Sequence, residues 1–196
     1  MQLIPVGPDA LLLEVDDVGA ALALALWCQK HLEAREVVPG ARTVLLDGVA
    51  DPAATAEVLA GWRASPAPPT GALVEVPTDY DGADLGEVAA LWGCTTAEVV
   101  ERHAATEFRV SFCGFAPGFA YLAGLPEEWA VARLAEPRSR VPAGSVALAD
   151  TWCGIYPTES PGGWRLLGRT SLSLWDVRRE PPALLPPGTR VRFIPR

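Results

Sequence analysis

Lysine is nearly missing from this chain of 196 residues: Lys30 stands alone against fifteen arginines. Histidine is scarce too, with only His31 and His103. The four cysteines, Cys28, Cys94, Cys113 and Cys153, are far apart and form no CxxC pair. Together with two histidines they bring too few ligands to one place for a metal site, so no metal is expected. Free thiols in a reducing cytoplasm fit this usage better than a disulfide framework. No apolar run approaches the roughly 20 residues of a membrane span. The uncharged stretch Val18 to Gln29 follows Asp16 and Asp17 and has no basic segment before it, so it reads as a helix of the fold rather than a signal peptide. There is no G-x-x-x-x-G-K-[ST] loop, which excludes a Walker-type phosphate site. There is no G-x-S-x-G elbow, and neither histidine lies near a nucleophile in a Ser-His-Asp pattern. A net charge of −8 argues against nucleic acid or an anionic membrane as partner.

What is present is a core-forming composition, 49% hydrophobic, broken by 19 prolines and 18 glycines without periodicity. That pattern means many turns and short strands rather than disorder. Charge is uneven. Residues 1–107 hold 17 acids and 5 bases, whereas 108–196 hold 7 acids and 11 bases, every one of them arginine. Arginine's planar fork grips carboxylate or phosphate through two hydrogen bonds, so a small anion is expected to be handled by the C-terminal half.

The first strands are expected at Gln2–Val6 and Ala10–Val15 around a Gly7-Pro8-Asp9 turn. A helix capped by Asp16 or Asp17 then runs to about Arg35. Thr43–Leu46 reads as a buried strand, and Asp51-Pro52 opens a second helix with proline at its first position. Ser65–Gly71 (SPAPPTG) is the best linker in the chain. The division is therefore an α/β sandwich over residues 1–70 and a second domain over 71–196. Leu73–Val76 starts the latter, and Thr95-Thr96-Ala97-Glu98 is a capping box for a helix ending near His103. Short strands follow at Phe108–Phe112, Val146–Leu148, Trp164–Leu167, Ser171–Trp175 and Arg190–Ile194, a spacing that suggests a closed or nearly closed β-barrel.

Three groups of motifs could carry chemistry. The run from Phe112 to Leu122 contains Gly114-Phe115-Ala116-Pro117-Gly118-Phe119, where glycine and proline turn the chain between aromatic rings. Pro137 to Val146 places Arg138 and Arg140 ahead of a Gly144-Ser145 turn. Gly154-Ile155-Tyr156-Pro157, Ser160-Pro161-Gly162-Gly163-Trp164 and Gly168-Arg169-Thr170 make the third. Tight barrel corners account for any one of them; three within about sixty residues, each with Arg, Tyr or Trp, point to a binding surface.

These motifs, with Tyr80-Asp81-Gly82 and the final PGTRVRFIPR, resemble the family of the 5-oxoprolinase B subunit, also known as KipI or allophanate hydrolase subunit 1. The resemblance is strong over about residues 76–196 and looser before them. It implies an α+β protein, a small N-terminal α/β sandwich followed by a C-terminal cyclophilin-like β-barrel. It implies a non-autonomous, cytoplasmic enzyme subunit that works with two partners, a KipA-like subunit (related to allophanate hydrolase subunit 2) and a LamB/YcsF-like subunit. Such a complex converts 5-oxo-L-proline to L-glutamate with ATP and Mg, and this chain alone holds no tightly bound cofactor. The alternatives are a KipI-type inhibitor of a sensor histidine kinase, or a carboxyltransferase-like subunit that takes a urea- or allophanate-related amide. Substrate contacts are expected from Phe115, Pro117, Gly118, Phe119, Arg138, Arg140, Gly144, Ser145, Tyr156, Pro157, Gly162, Gly163, Trp164 and Arg169. The arginines would hold anionic charge, and backbone N–H groups would orient the acyl group. His103 is either a surface residue at a helix C-terminus or the catalytic candidate, a proton relay in a shared site. The chain departs from the family pattern where Trp152 and Cys153 replace the usual Gln and Thr, Ser171 a proline and Thr189 an Asp. The first two lie where a ligand-facing loop is expected.

Overall fold

A computed structural model describes residues 1–63 and 71–196. It forms two compact units, Met1–Thr70 and Gly71–Arg196. The proposed linker at Ser65–Gly71 falls almost wholly outside the described residues. Among the described residues no helix is long and apolar enough to cross a membrane.

The first unit contains β1 (Gln2–Pro5), β2 (Ala10–Glu14), α1 (Val18–His31), β3 (Glu36–Pro39), β4 (Thr43–Asp47) and α2 (Pro52–Ala60). Its antiparallel sheet has the order β1-β2-β4-β3. Period-two alternation puts Leu11, Leu13, Val44 and Leu46 on one face, where they bury against Leu24, Ala25 and Cys28 of α1 and Leu59 of α2. Asp17 caps α1 by accepting from the Ala20 N–H at 2.8 Å. Asp51 caps α2 by accepting from Ala53 and Ala54, with Pro52 inside the first turn. One expectation is corrected here. α1 ends at His31, four residues early, because Leu32 is already extended. The residues beyond it form β3, where the β-branched pair Val37-Val38 lies opposite Leu46 and Leu45.

The second unit contains β5 (Leu73–Thr78), α3 (Leu85–Leu91), α4 (Thr96–Ala105), β6 (Phe108–Cys113), β7 (Ala120–Ala123), β8 (Arg138–Val141), β9 (Ser145–Ala149), β10 (Trp152–Ile155), β11 (Ser160–Gly162), β12 (Arg165–Arg169) and β13 (Arg190–Pro195). Seven strands follow the order β12-β9-β10-β7-β6-β13-β5, with only the β13–β5 pair parallel. The two edges meet where Asp79 and Arg169 exchange both backbone hydrogen bonds, at 2.9 and 2.8 Å, which nearly closes the barrel. The chain is thus a mixed α+β protein with a barrel-like C-terminal sheet.

The expected strand Ser171–Trp175 is not formed; Trp175 makes only an isolated bridge to Ala183. The segment facing it contains Pro181, Pro182, Pro186 and Pro187, which lack the N–H groups a ladder requires. α3 was not anticipated, and neither were the short strands β7, β10 and β11.

Barrel strands bury both faces. Val110, Leu122, Val146, Leu148, Cys153 and Leu167 point inward with Phe108, Val191 and Phe193. Their neighbours Ala147, Ala149 and Leu166 point outward into a second cluster with Phe119, Val141, Tyr156 and Trp164. That outer layer is partly covered by the β8–β11 ribbon, in which Val141 pairs with Ser160 and Arg138 with Gly162. The layer positions the candidate site.

Candidate functional site

The outward face of β6, β7 and β10 carries Phe112, Tyr121 and Trp152. Phe112 stacks on Tyr121 with centroids 4.3 Å apart, and Trp152 meets both rings edge-on at 5.4 and 6.0 Å. Phe119 lies edge-on to Tyr121, Tyr156 and Trp164 at 5.1 to 5.5 Å. Edge-to-face pairing of this kind suits ring quadrupoles. Two adjoining depressions open on the layer. The smaller, about 40 Å³, lies among Phe115, Phe119, Tyr121, Tyr156 and Trp164, with Pro161, Gly162 and Arg133 at its rim. The larger, about 170 Å³, lies among Tyr121, Trp152 and Trp164, with Arg133, Ala149 and Asp150. Tyr121, Arg133 and Trp164 border both.

Backbone strain gathers at the same place. Among the described residues, the non-glycine positions with positive φ are Phe115 at 69° and Asp150 at 55°, and each lines one of the depressions. The Ala116 N–H donates to the Gly114 carbonyl at 2.8 Å around Phe115, a γ-turn of the rare positive-φ form. It presents a ring that is 61% exposed. Strained non-glycine residues cluster at ligand sites because only a well-determined surrounding structure holds them.

The structure joins several of the expected residues. Gly144 donates to the Tyr156 carbonyl at 2.7 Å, Tyr156 donates to Ser145 at 3.0 Å, and Thr170 donates to Gly144 at 2.8 Å. A Cβ on Gly144, whose φ is 81°, would sit 2.2 Å from the Thr170 carbonyl oxygen. Gly144 and Ser145 therefore hold Tyr156 from behind the cleft. Gly162 leaves room for the Tyr156 hydroxyl, which a Cβ there would meet at 2.2 Å. Gly163 accepts from the Leu134 N–H at 2.7 Å. Pro117 is exposed and Pro157 half-buried, and Gly118 packs against Leu174 and Trp175.

The three expected arginines each hold a carboxylate of this chain. Arg138 donates to Asp84 at 2.6 Å, Arg140 pairs with Glu159 at 2.6 Å and Arg169 with Asp81 at 2.8 Å. Asp84 is 2% exposed and also accepts from the Leu166 N–H at 2.7 Å, tying the Asp79–Asp84 segment to β12. Sequence reasoning missed Arg133 and Tyr121 as lining residues, whereas Trp152 lies where a ligand-facing loop was expected. The signal for Tyr121 was the outward phase of β7; Arg133 carried none, because it lies in an irregular strap.

His103 is not at the surface. Its side chain is 0% exposed, since α4 places Val99 and His103 on one inward face. Nδ1 lies 2.7 Å from the Tyr80 hydroxyl and Nε2 lies 3.4 Å from Cys153 Sγ, with the Phe108 and Phe193 rings alongside. Burial lowers its pKa to about 3, so the ring is neutral, and burial pushes the Cys153 thiol and Tyr80 phenol up. Cys153 points into the barrel, away from the aromatic layer. This set can shuffle hydrogen bonds but has no opening to a substrate in the cleft. Among the described residues no group of three His, Cys, Asp or Glu side chains could hold a metal ion.

A stretch of 139 residues is 49% identical to the 5-oxoprolinase B subunit of Escherichia coli O157:H7, covering 69% of this chain and 64% of that protein. Another comparison, over 125 residues, gives 42% identity to the 5-oxoprolinase B subunit of Bacillus subtilis (strain 168), covering 62% of this chain and 52% of that protein. The chain thus spans between half and two thirds of these relatives' lengths. The crystal structure of a conserved uncharacterized protein from Pyrococcus horikoshii matches with a TM-score of 0.61 and 32% identity, over 100% of this chain and 97% of that one. Residues 1–185 match a family described as the carboxyltransferase domain, subdomain C and D. With nearly its whole length matched, the chain belongs to the carboxyltransferase-domain family, subdomains C and D.

Proposed function

We propose that this chain is the B subunit of an ATP-dependent 5-oxoprolinase, a cytoplasmic enzyme component that works with a KipA-like subunit and a LamB/YcsF-like subunit to convert 5-oxo-L-proline to L-glutamate. The observation that carries it is the cleft lined by Tyr121, Trp152 and Trp164 together with Arg133, which suits a small ring bearing a carboxylate. The similarity to proteins named as the B subunit of 5-oxoprolinase supports the same reading.

A lactam is a stable amide. ATP and Mg, held elsewhere in the complex, would supply the phosphoryl group that activates the lactam carbonyl oxygen, with ADP as the leaving group, before water opens the ring. The contribution of this chain is to bind and orient the ring and to keep bulk water from its faces. Buried and neutral, His103 supports the barrel rather than the chemistry, and the Cys153 thiol beside it is enclosed with it.

Co-expression with the KipA-like and LamB/YcsF-like partners, followed by an ATP-dependent assay of 5-oxoproline consumption, tests the proposal. The complex is expected to turn over, and the rigorously purified chain alone is not. Turnover by the two partners at the same rate without this chain, or by this chain alone, overturns it.

A further inference from the structure

We infer that the larger depression recognises a small cyclic amide through its two polar ends, Arg133 taking the carboxylate and Asp150 the amide N–H. This rests on the reading of the cleft as the substrate site and adds the two side chains that read the ligand.

Arg133 is exposed, yet its backbone is fixed on every side. Val131 exchanges both backbone hydrogen bonds with Asp150, at 3.1 and 2.6 Å. The Ala132 carbonyl accepts from Arg165 Nε at 3.2 Å, and the Leu134 N–H donates to Gly163 at 2.7 Å. The guanidinium itself makes no hydrogen bond or ion pair among the described residues, whereas Arg138, Arg140, Arg165 and Arg169 each hold an acid. A cation on a pinned strap, left open beside aromatic walls, is pre-organised for an anion.

Asp150 stands at the other end of the bridge to Val131 and lines the same depression. Its φ of 55° belongs to the two-residue turn that joins β9 to β10, and its carboxylate makes no hydrogen bond or ion pair among the described residues. Opposite charges on one cleft that do not close on each other leave room for a ligand carrying both an acceptor and a donor. Tyr121, Trp152 and Trp164 line the same depression and supply its apolar surface. At about 170 Å³ the space is well below the ~300–1,000 Å³ of drug-sized ligand sites, which favours one small ring over a nucleotide. A phosphate or other multiply charged anion would meet repulsion from Asp150. A carboxylate with an adjacent amide N–H satisfies both groups, and a molecule lacking either end leaves a charge unmatched.

The test is titration of the full chain, followed by calorimetry and by tryptophan fluorescence, since Trp152 and Trp164 face the depression. The probes are 5-oxo-L-proline, its uncharged carboxamide and cyclopentanecarboxylate. Saturable binding of 5-oxoproline is expected, about tenfold or more weaker in Arg133→Ala and partly restored in Arg133→Lys. Arg133→Ala should leave the carboxamide's affinity unchanged. Asp150→Gly keeps the backbone conformation and should weaken 5-oxoproline while sparing cyclopentanecarboxylate, with unchanged circular dichroism confirming the fold. Absence of saturable binding to the parent chain, or an Arg133→Ala variant that binds 5-oxoproline as tightly as the parent, would overturn the inference. The two readings separate in the complex. Full turnover with an unchanged KM in Arg133→Ala sinks the inference and leaves the chain's place in the 5-oxoprolinase complex intact. Arg133-dependent binding by the chain, without turnover by the unmodified complex, does the reverse.

Discussion

At the scale of single residues, buried polar groups set the sharpest expectations. The His103 ring is enclosed by Tyr80, Cys153, Phe108 and Phe193, and its pKa is lowered to about 3 from an ordinary 6.5. Above pH 6.5 the ring is neutral in both folded and unfolded chains and pH has no leverage. As pH falls below 6.5 the unfolded chain takes up a proton that the folded chain refuses, so stability drops by up to about 1.4 kcal/mol per pH unit until the folded ring protonates near pH 3. Glu98, Glu107 and Asp176 are held below their ordinary range by Thr95, Arg190 and Arg178 respectively, so their acid sensitivity begins lower, beneath about pH 4.5. Urea unfolding between pH 7 and 5 should therefore show a slope in the parent chain that is flattened in His103→Gln. Equal slopes in the two proteins would mean that His103 is free to titrate.

The arginine pairs divide on the same grounds. Asp84 is buried and accepts from both Arg138 and the Leu166 N–H, so Asp84→Ala strands a half-buried guanidinium and a backbone donor and should cost about 3 kcal/mol. Arg140 and Glu159 are 74% and 50% exposed, and Arg140→Ala should change stability by less than about 0.5 kcal/mol. Chemical denaturation of the two variants compares them directly; similar losses would show that burial does not separate these pairs.

At the scale of elements, local chemistry and tertiary packing part company. The capping box of α4 is complete: the Glu98 N–H donates to Thr95 Oγ1 at 3.2 Å and the Thr95 N–H donates to Glu98 at 2.7 Å. Thr95→Ala removes one half of it and should destabilise by about 1 kcal/mol, whereas Thr95→Ser should be close to neutral, as read by thermal melts. This helix start was visible in four consecutive residues, as were the Asp17 and Asp51 caps. β3 and β7 were not. Each has four residues, too short to show a period above the background of an apolar-rich chain, and each exists because a neighbouring strand supplies its hydrogen bonds. The opposite error at Ser171–Trp175 has the same origin: an adequate strand sequence found only a proline-rich partner.

At the scale of the whole molecule, the hydrophobic clusters of residues 1–63 and 71–196 share no residue. A fragment of residues 71–196 is therefore expected to fold cooperatively alone, because it contains every strand of the barrel and the aromatic outer layer. Circular dichroism melts and near-ultraviolet spectra of the fragment check this; a spectrum without fixed aromatic signals would show that the first unit completes the core.

The resemblance to the 5-oxoprolinase B subunit was legible in ordered motifs such as GFAPGFAYL and SPGGW, because turns that need glycine and proline at fixed places leave a local record. The mixed α+β class and the barrel followed from the same turns and from strand spacing. Tertiary structure decided which charges are free. Arg138, Arg140 and Arg169 met acids distant in the chain, while Arg133 met none among the described residues, and no local pattern distinguishes a paired guanidinium from an open one. It also placed His103 inside the barrel, since helical phase names a face but only packing tells whether that face meets water or a sheet. The outward ring layer has the same cause: Tyr121 and Trp152 are one residue away from the inward-pointing Leu122 and Cys153, and alternation assigns a face only after the sheet has closed.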